Sequence, residues 1–183
     1  MKNFRLLLLL SFVAYCSACS GPAGNTNKDI KPADSIAAEK VKFPFTKTNN
    51  NTEWEINQDD ANTVTVLNVL KAIEGKNFQV IGEATADSIK SDIDGLKFNG
   101  TKAQMIDANK DFFATLKNIR IVPHDWISVV NKDKSQEWVR VWYTQYLEDV
   151  SGKRDSLNVF NDIRFRDGKI TVWNEYIQHF PKL

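Results

Sequence analysis

Four stretches in the second half of the chain constrain its fold more than anything else in it. They are "NIRIVPHDWISVV" (118–130), "EWVRVWYTQYLEDV" (137–150), "DSLNVFNDIRF" (155–165) and "ITVWNEYIQHF" (170–180). All are long and rich in β-branched and aromatic residues, the composition of strands. The links between them, "NKDKSQ", "SGKR" and "RDG", are short and turn-like. Consecutive strands joined in this way pair antiparallel, as a meander. Pro123 has no N–H to give to a ladder, so the first strand must be bulged or at an edge there.

Upstream, the periodicity is helical. Val66, Leu67, Val69, Leu70 and Ile73 form one apolar stripe, which predicts a helix from about Asp60 to Glu74, stopped by Gly75. A short second helix is predicted around Phe78–Ala84. "DSIKSDIDGLKFNG" reads as a short strand or hairpin, with Asp94-Gly95 as the turn. Thr101 and Gln104 have the spacing of a capping box, in which each side chain satisfies a free backbone N–H at a helix start. The expected buried face of that third helix is Met105, Ile106, Ala108, Phe112, Phe113 and Leu116. Helices first and strands afterwards describe an α+β fold: three N-terminal helices packed on a strongly curved antiparallel sheet.

The chain opens "MKNFRLLLLLSFVAYCSACSG". Lys2 and Arg5 precede an apolar run too short to span a bilayer, which needs ~20 apolar residues, and small residues follow. The pattern Ser17-Ala18-Cys19-Ser20-Gly21 resembles a bacterial lipoprotein signal. Residues 1–18 are then the signal peptide, and Cys19 becomes the lipidated first residue, the usual acyl group being of the palmitate type. This implies an exported protein of the bacterial cell envelope, anchored in the membrane, the outer membrane before the inner. The other reading is plain secretory cleavage near Ala18. Cys16 and Cys19 are the only cysteines. Processing leaves the mature domain with no disulfide and no thiolate nucleophile, so burial must hold it together. Residues 19–52, rich in Asn, Lys, Pro, Ala and Ser, read as a flexible tether, and residues 53–183 as one domain.

Charge argues against nucleic acid as a partner. The chain has 24 basic and 23 acidic residues; removing 1–18 takes away Lys2 and Arg5 and no acid, leaving 22 against 23. No basic stripe that would grip phosphates is visible. Arg164, Arg166 and Lys169 cluster at one turn, diluted by Asp162 and Asp167, and read as a solvated face.

Three stretches, in order, carry a family resemblance: "VLNVLKAIEGKNF", "ATADSIKSDIDGLKFNGTKA" and "NDIRFRDGKI". Over roughly residues 54–180 the chain resembles the nuclear transport factor 2-like superfamily, especially its SnoaL-like domains, a cystatin-like cone. The resemblance implies a conical pocket between sheet and helices. Some members are isomerases, cyclases or dehydratases; others only bind. Fold alone therefore gives no chemistry. Alignment with ketosteroid isomerase puts Asp92 at the position of the catalytic base. It puts Asn161 where that enzyme has a protonated Asp. The helix-one tyrosine has no counterpart, since Val69 or a neighbour falls there, and steroid isomerisation is not expected.

The candidate ligand-pocket residues are Asp92, Trp142, Tyr146, Asn161 and Trp173. Asn161 sits in an apolar row with Leu157, Val159, Ile163 and Phe165. It is either a structural amide or a ligand holder; unbonded and buried, it would cost about 1–3 kcal/mol. Asp92 is either a base or a solvated turn residue beside Asp94-Gly95. Trp142, Thr144 and Tyr146 share one strand face and Tyr143, Gln145 and Leu147 the other; the first set is taken as pocket-facing. The partner of Asn161 depends on the hairpin. A three-residue loop Arg166-Asp167-Gly168, the preferred reading, sets Trp173 across from it; a two-residue turn Asp167-Gly168 sets Asn174 there. His124 and His179 are too far apart to suggest a metal, so no metal and no cofactor are expected. Three functions remain open. The first is a non-catalytic module that binds a small apolar ligand or mediates association. The second is an enzyme on a small cyclic substrate, with Asp92 as base and Asn161 as oxyanion donor. The third is a homodimerisation domain with an apolar convex face that includes Trp138 or Tyr176.

Overall fold

In the computed structural model, residues 43–45 and 53–180 are described. The expected signal peptide, Cys19 and all of the expected tether but residues 43–45 lie outside the described residues. The chain divides into a unit Met1–Pro44 and a unit Phe45–Leu183, and the second holds every element below.

The first of three helices, α1 (Ala61–Glu74), buries Val66, Val69 and Leu70 along the expected stripe. Asp60 makes no side-chain cap bond; instead Asp59 Oδ1 accepts from Ala61 N at 2.9 Å. The short α2 (Phe78–Ala84) is capped by Asn77. The expected hairpin forms as β2 (Thr85–Ile93) and β3 (Leu96–Thr101), numbering the strands from the N-terminal β1 (Trp54–Ile56). Asp94 and Gly95 both take positive φ, +49° and +86°, the geometry of a tight two-residue turn. The third helix, α3 (Lys102–Ala114), starts with the Thr101–Gln104 capping box. Its burial is narrower than the sequence suggests. Phe113 is its one buried residue, stacked on Phe78 at 5.7 Å, while Phe112 is 51% exposed. Leu116, counted with the helix by its spacing, begins the next strand and is buried there.

The four long strands are β4 (Leu116–Asn131), β5 (Glu137–Asp149), β6 (Arg154–Arg166) and β7 (Lys169–His179). They form the expected meander inside a larger sheet, ordered β1-β4-β5-β6-β7-β2-β3. Two features were not foreseen. The three-residue β1 adds an edge beside β4, and β2 joins β7 in parallel, the one parallel pair in the sheet. The register shifts between Leu116 and Asn118, Pro123 and Asp125, Arg164 and Phe165, and Thr85 and Lys90. Each bulge sharpens the local twist and bends the strand, which curls the sheet about the helices. The shift at Pro123 is the one its missing N–H demanded.

The helices cover one face. α1 packs on β4 and β5, and α3 on β2 and β3. Two polar ties fix α1: Ile121 N donates to Glu74 Oε1 at 2.7 Å, and Lys76 Nζ to the Leu116 carbonyl at 2.5 Å. Between helices and sheet lies a single core, built on Val66, Val69, Leu70, Val139, Val141, Val159, Ile163, Phe165 and Ile170.

Candidate functional site

The inner face of the sheet is apolar apart from one cluster. Along β6 side chains alternate strictly, and Leu157, Val159, Asn161, Ile163 and Phe165 all point inward and are buried. Asn161 is 0% exposed. Its amide Nδ2 donates to the Tyr143 hydroxyl oxygen at 2.9 Å, and its Oδ1 accepts from Trp173 Nε1 at 3.2 Å. The Tyr143 hydroxyl in turn donates to Glu175 Oε2 at 3.4 Å. The partner that a buried amide requires is thus supplied by the protein on both sides.

The local backbone decides which residues meet. Asp167 and Gly168, at φ +51° and +69°, make a two-residue turn between Arg166 and Lys169. That turn alone would set Asn174 opposite Asn161. A bulge at Thr171 then adds one residue to β7, so Arg164 pairs with Val172 and Asn161 with Glu175. Neither hairpin register expected from sequence holds. Trp173 lies opposite Ile163 and reaches Asn161 diagonally, as long side chains do on one sheet face.

Asp92 does not belong to this cluster. It pairs with Asn174, which pairs with Asp162, whose side chain faces away from that of its neighbour Asn161. Its Oδ1 accepts from Gly95 N at 3.0 Å, closing the turn. A base at Asp92 and an oxyanion donor at Asn161 therefore sit on opposite faces and cannot share a substrate.

Trp142 and Tyr146 are also corrected. Tyr143, 2% exposed, takes the inner face of β5, so alternation turns Trp142 and Tyr146 outward, at 38% and 40% exposure. Tyr146 lies under the Arg120 guanidinium, 4.3 Å from ring centre. Trp142 joins Phe160 and Tyr176 in an aromatic row across β5, β6 and β7, with centroids 5.1 and 5.7 Å apart. Beside it runs a polar row. His124 Nε2 lies 2.8 Å from Thr144 Oγ1, which donates to Asn158 Oδ1 at 3.2 Å, and Asn158 Nδ2 donates to Gln178 Oε1 at 3.4 Å. The two rows border an outer groove of about 600 Å³.

Sequence reasoning missed Tyr143 and Glu175, the two titratable members of the inner cluster. Burial raises the Glu175 carboxyl above the usual carboxylate value, the Asp94 charge adds to this, and the Trp173 and Tyr143 donors oppose it. Burial, with the Glu175 charge, holds the Tyr143 phenol well above its ordinary value. Both shifts are toward the neutral form, in which each group can donate a hydrogen bond. Among the described residues, no three His, Cys, Asp or Glu side chains converge as metal ligands would.

No family model matches the chain. No curated protein matches it. Solved structures do. An epoxide hydrolase from M. tuberculosis, of the LEH-like kind, is similar over 67% of this chain and 86% of its own, at 17% identity and a TM-score of 0.55. An NTF2-like protein of unknown function from Burkholderia pseudomallei is similar over 64% and 91%, at 16% identity and a TM-score of 0.53. A hypothetical protein with a ketosteroid isomerase-like fold from Catenulispora acidiphila, in complex with trimethylamine, is similar over 61% and 83%, at 16% identity and a TM-score of 0.50. Likeness at such low identity speaks for the fold, and with the curled sheet, three covering helices and strand order described above it identifies this chain as a protein of the nuclear transport factor 2-like fold.

Proposed function

We propose that the protein is an exported, lipid-anchored component of the cell envelope whose nuclear transport factor 2-like domain is an association module. It pairs with a second copy through the outer face of its sheet. The observation that carries this reading is the row Trp142–Phe160–Tyr176. The solvated face of an antiparallel sheet is normally polar. Here three aromatic rings in contact, Trp142 tilted on Phe160 and Phe160 stacked on Tyr176, cross three adjacent strands, and Tyr176 remains 58% exposed. A contiguous apolar patch framed by polar side chains marks an interaction surface. A sheet face repeated in a second copy supplies its own complement under a twofold axis.

The test is sedimentation velocity on the protein without its signal peptide and with Cys19→Ser. A dimer is expected at high concentration, and the double variant Trp142→Ser/Tyr176→Ser is expected to sediment there as a monomer with an unchanged melting temperature. A wild-type monomer at high concentration overturns the reading.

A second reading, an enzyme on a small cyclic substrate held in the cone, is favoured by Glu175. That carboxyl replaces Asp92 as candidate acid or base, with Tyr143 and Asn161 orienting it. Because one protein of the same fold is an epoxide hydrolase, ring-opening hydration of a small epoxide is the first reaction to assay. Turnover abolished by Glu175→Gln would support it; no turnover of epoxide or enone substrates would reject it.

A further inference from the structure

The seam between β2 and β7 is open at one end. Their parallel pairing runs from Thr85–Ile170 directly to Lys90–Val172. Over that interval β2 advances five residues and β7 only two, so Ala86–Ile89 leave the β7 ladder, while Ser88 and Ile89 stay paired with Thr101 and Gly100 of β3. On the other side of β7 the bulge at Thr171 breaks the ladder with β6 at the same level. The resulting cavity, about 850 Å³, is larger than the outer groove and lies apart from both the inner cluster and the aromatic row.

Its walls are unusual for a chain whose charges nearly cancel. Five cations border it, Lys90, Lys102, Arg164, Arg166 and Lys169, against three acids, Glu83, Asp87 and Asp167. Two of the cations are engaged. Lys102 pairs with Asp87 at 3.1 Å, and Lys169 Nζ donates to the Glu83 carbonyl at 2.6 Å. Arg164 lies 5.9 Å from the Trp138 ring centre and makes only a long bond, 3.5 Å, to Thr171 Oγ1. Lys90 and Arg166 form no ion pair among the described residues. Lys90, Val172 and Arg164 stand side by side on β2, β7 and β6, with Arg166 beyond them at the hairpin turn. Three cations with donors to spare thus flank a half-apolar floor formed by Val172 and Ala86.

We propose that this seam binds a small acidic saccharide, a hydroxylated ring bearing carboxylate or sulfate groups. The unengaged cations take the anionic groups, and Arg166 can do so with paired N–H donors. The remaining walls argue for a sugar and against a bare anion. Carboxylates at Glu83 and Asp167 repel a simple anion, yet accept hydrogen bonds from ring hydroxyls. Ser88 and Asn99 add further hydroxyl and amide partners. The cavity is also of the size that holds small organic ligands, ≈ 300–1,000 Å³. The proposal rests on the fold alone and stands independently of the association reading.

The test is isothermal titration of the purified full chain in low salt with three probes: a sulfated uronate-containing disaccharide, neutral lactose and inorganic sulfate. The disaccharide is expected to bind at least tenfold more tightly than either of the others. Lys90→Gln/Arg166→Gln is expected to weaken it at least tenfold, while Arg154→Gln, outside the cavity, leaves it unchanged. Single Lys90→Gln, expected to weaken binding severalfold, serves if the double variant does not fold by circular dichroism. No disaccharide binding, equal binding of lactose, equal binding of sulfate, or binding indifferent to the seam variants would each overturn the proposal.

Discussion

Burial of Glu175 has a stability consequence with a definite sign. Its folded carboxyl has a higher pKa than the unfolded one, near 4.3 for an ordinary glutamate. Below that value both states hold the proton and Glu175 makes no pH-dependent difference. As pH rises the unfolded chain releases its proton first and binds fewer protons than the native state, so stability falls until the folded group titrates as well. Glu175→Gln keeps an acceptor for the Tyr143 hydroxyl and removes the titration. The variant should have a higher urea midpoint than wild type at pH 7, and that advantage should vanish by about pH 4. Equal midpoints at pH 7 would mean that the carboxylate is solvated in the native state. Asn161 was legible from sequence because an amide in an apolar row must find a partner. Tyr143 and Glu175 were not. "WYTQYLED" carries aromatic side chains on both faces of its strand, and only the helices decide which face is inner.

Helix starts are the element-scale features most readily read from sequence, and they can be separated by mutation. Thr101 accepts from Gln104 N and Gln104 Oε1 accepts from Thr101 N, a reciprocal pair that satisfies two orphan donors. Thr101→Ala should cost about 0.5–2 kcal/mol. At α1 Asp60 makes no side-chain cap bond, and the bond to Ala61 N comes from Asp59. Chemical denaturation should therefore show a loss for Asp59→Ala and nearly none for Asp60→Ala; the reverse order would refute this cap. The β-register was less accessible for a physical reason. The Asp167-Gly168 turn has a chemical signature, since it needs two residues at positive φ. The bulge at Thr171 has none, because any residue can be the extra one in a ladder. One unannounced residue exchanged Asn174 for Glu175 opposite Asn161. The parallel β2–β7 pair was hidden for a related reason: it joins segments far apart in sequence with no turn between them to read.

At the scale of the whole molecule, the proposed anchor and the proposed association would reinforce each other. Cys19 and Thr52 bound a segment of 34 residues that can extend no further than about 3.3–3.6 Å per residue. Lipidated chains would all hold their domains within that short distance of one membrane, and confinement of this kind raises effective concentration without adding a contact. A sheet-face dimer too weak to persist in dilute solution would then persist on the membrane. With Cys19 acylated, the mature chain has no free thiol, so a single engineered cysteine reports contact cleanly. Asn158→Cys, in the polar row beside the aromatic one on the outer face, should form a disulfide with its own copy in the membrane fraction. Adding Cys19→Ser should move the protein into the soluble fraction and reduce that cross-link severalfold at equal expression. Mass spectrometry of the membrane form should find acyl chains on Cys19. An unmodified Cys19 would remove the anchor from this scheme. Cross-linking that persists undiminished in the released protein would show instead that the face binds tightly by itself and has no need of the membrane.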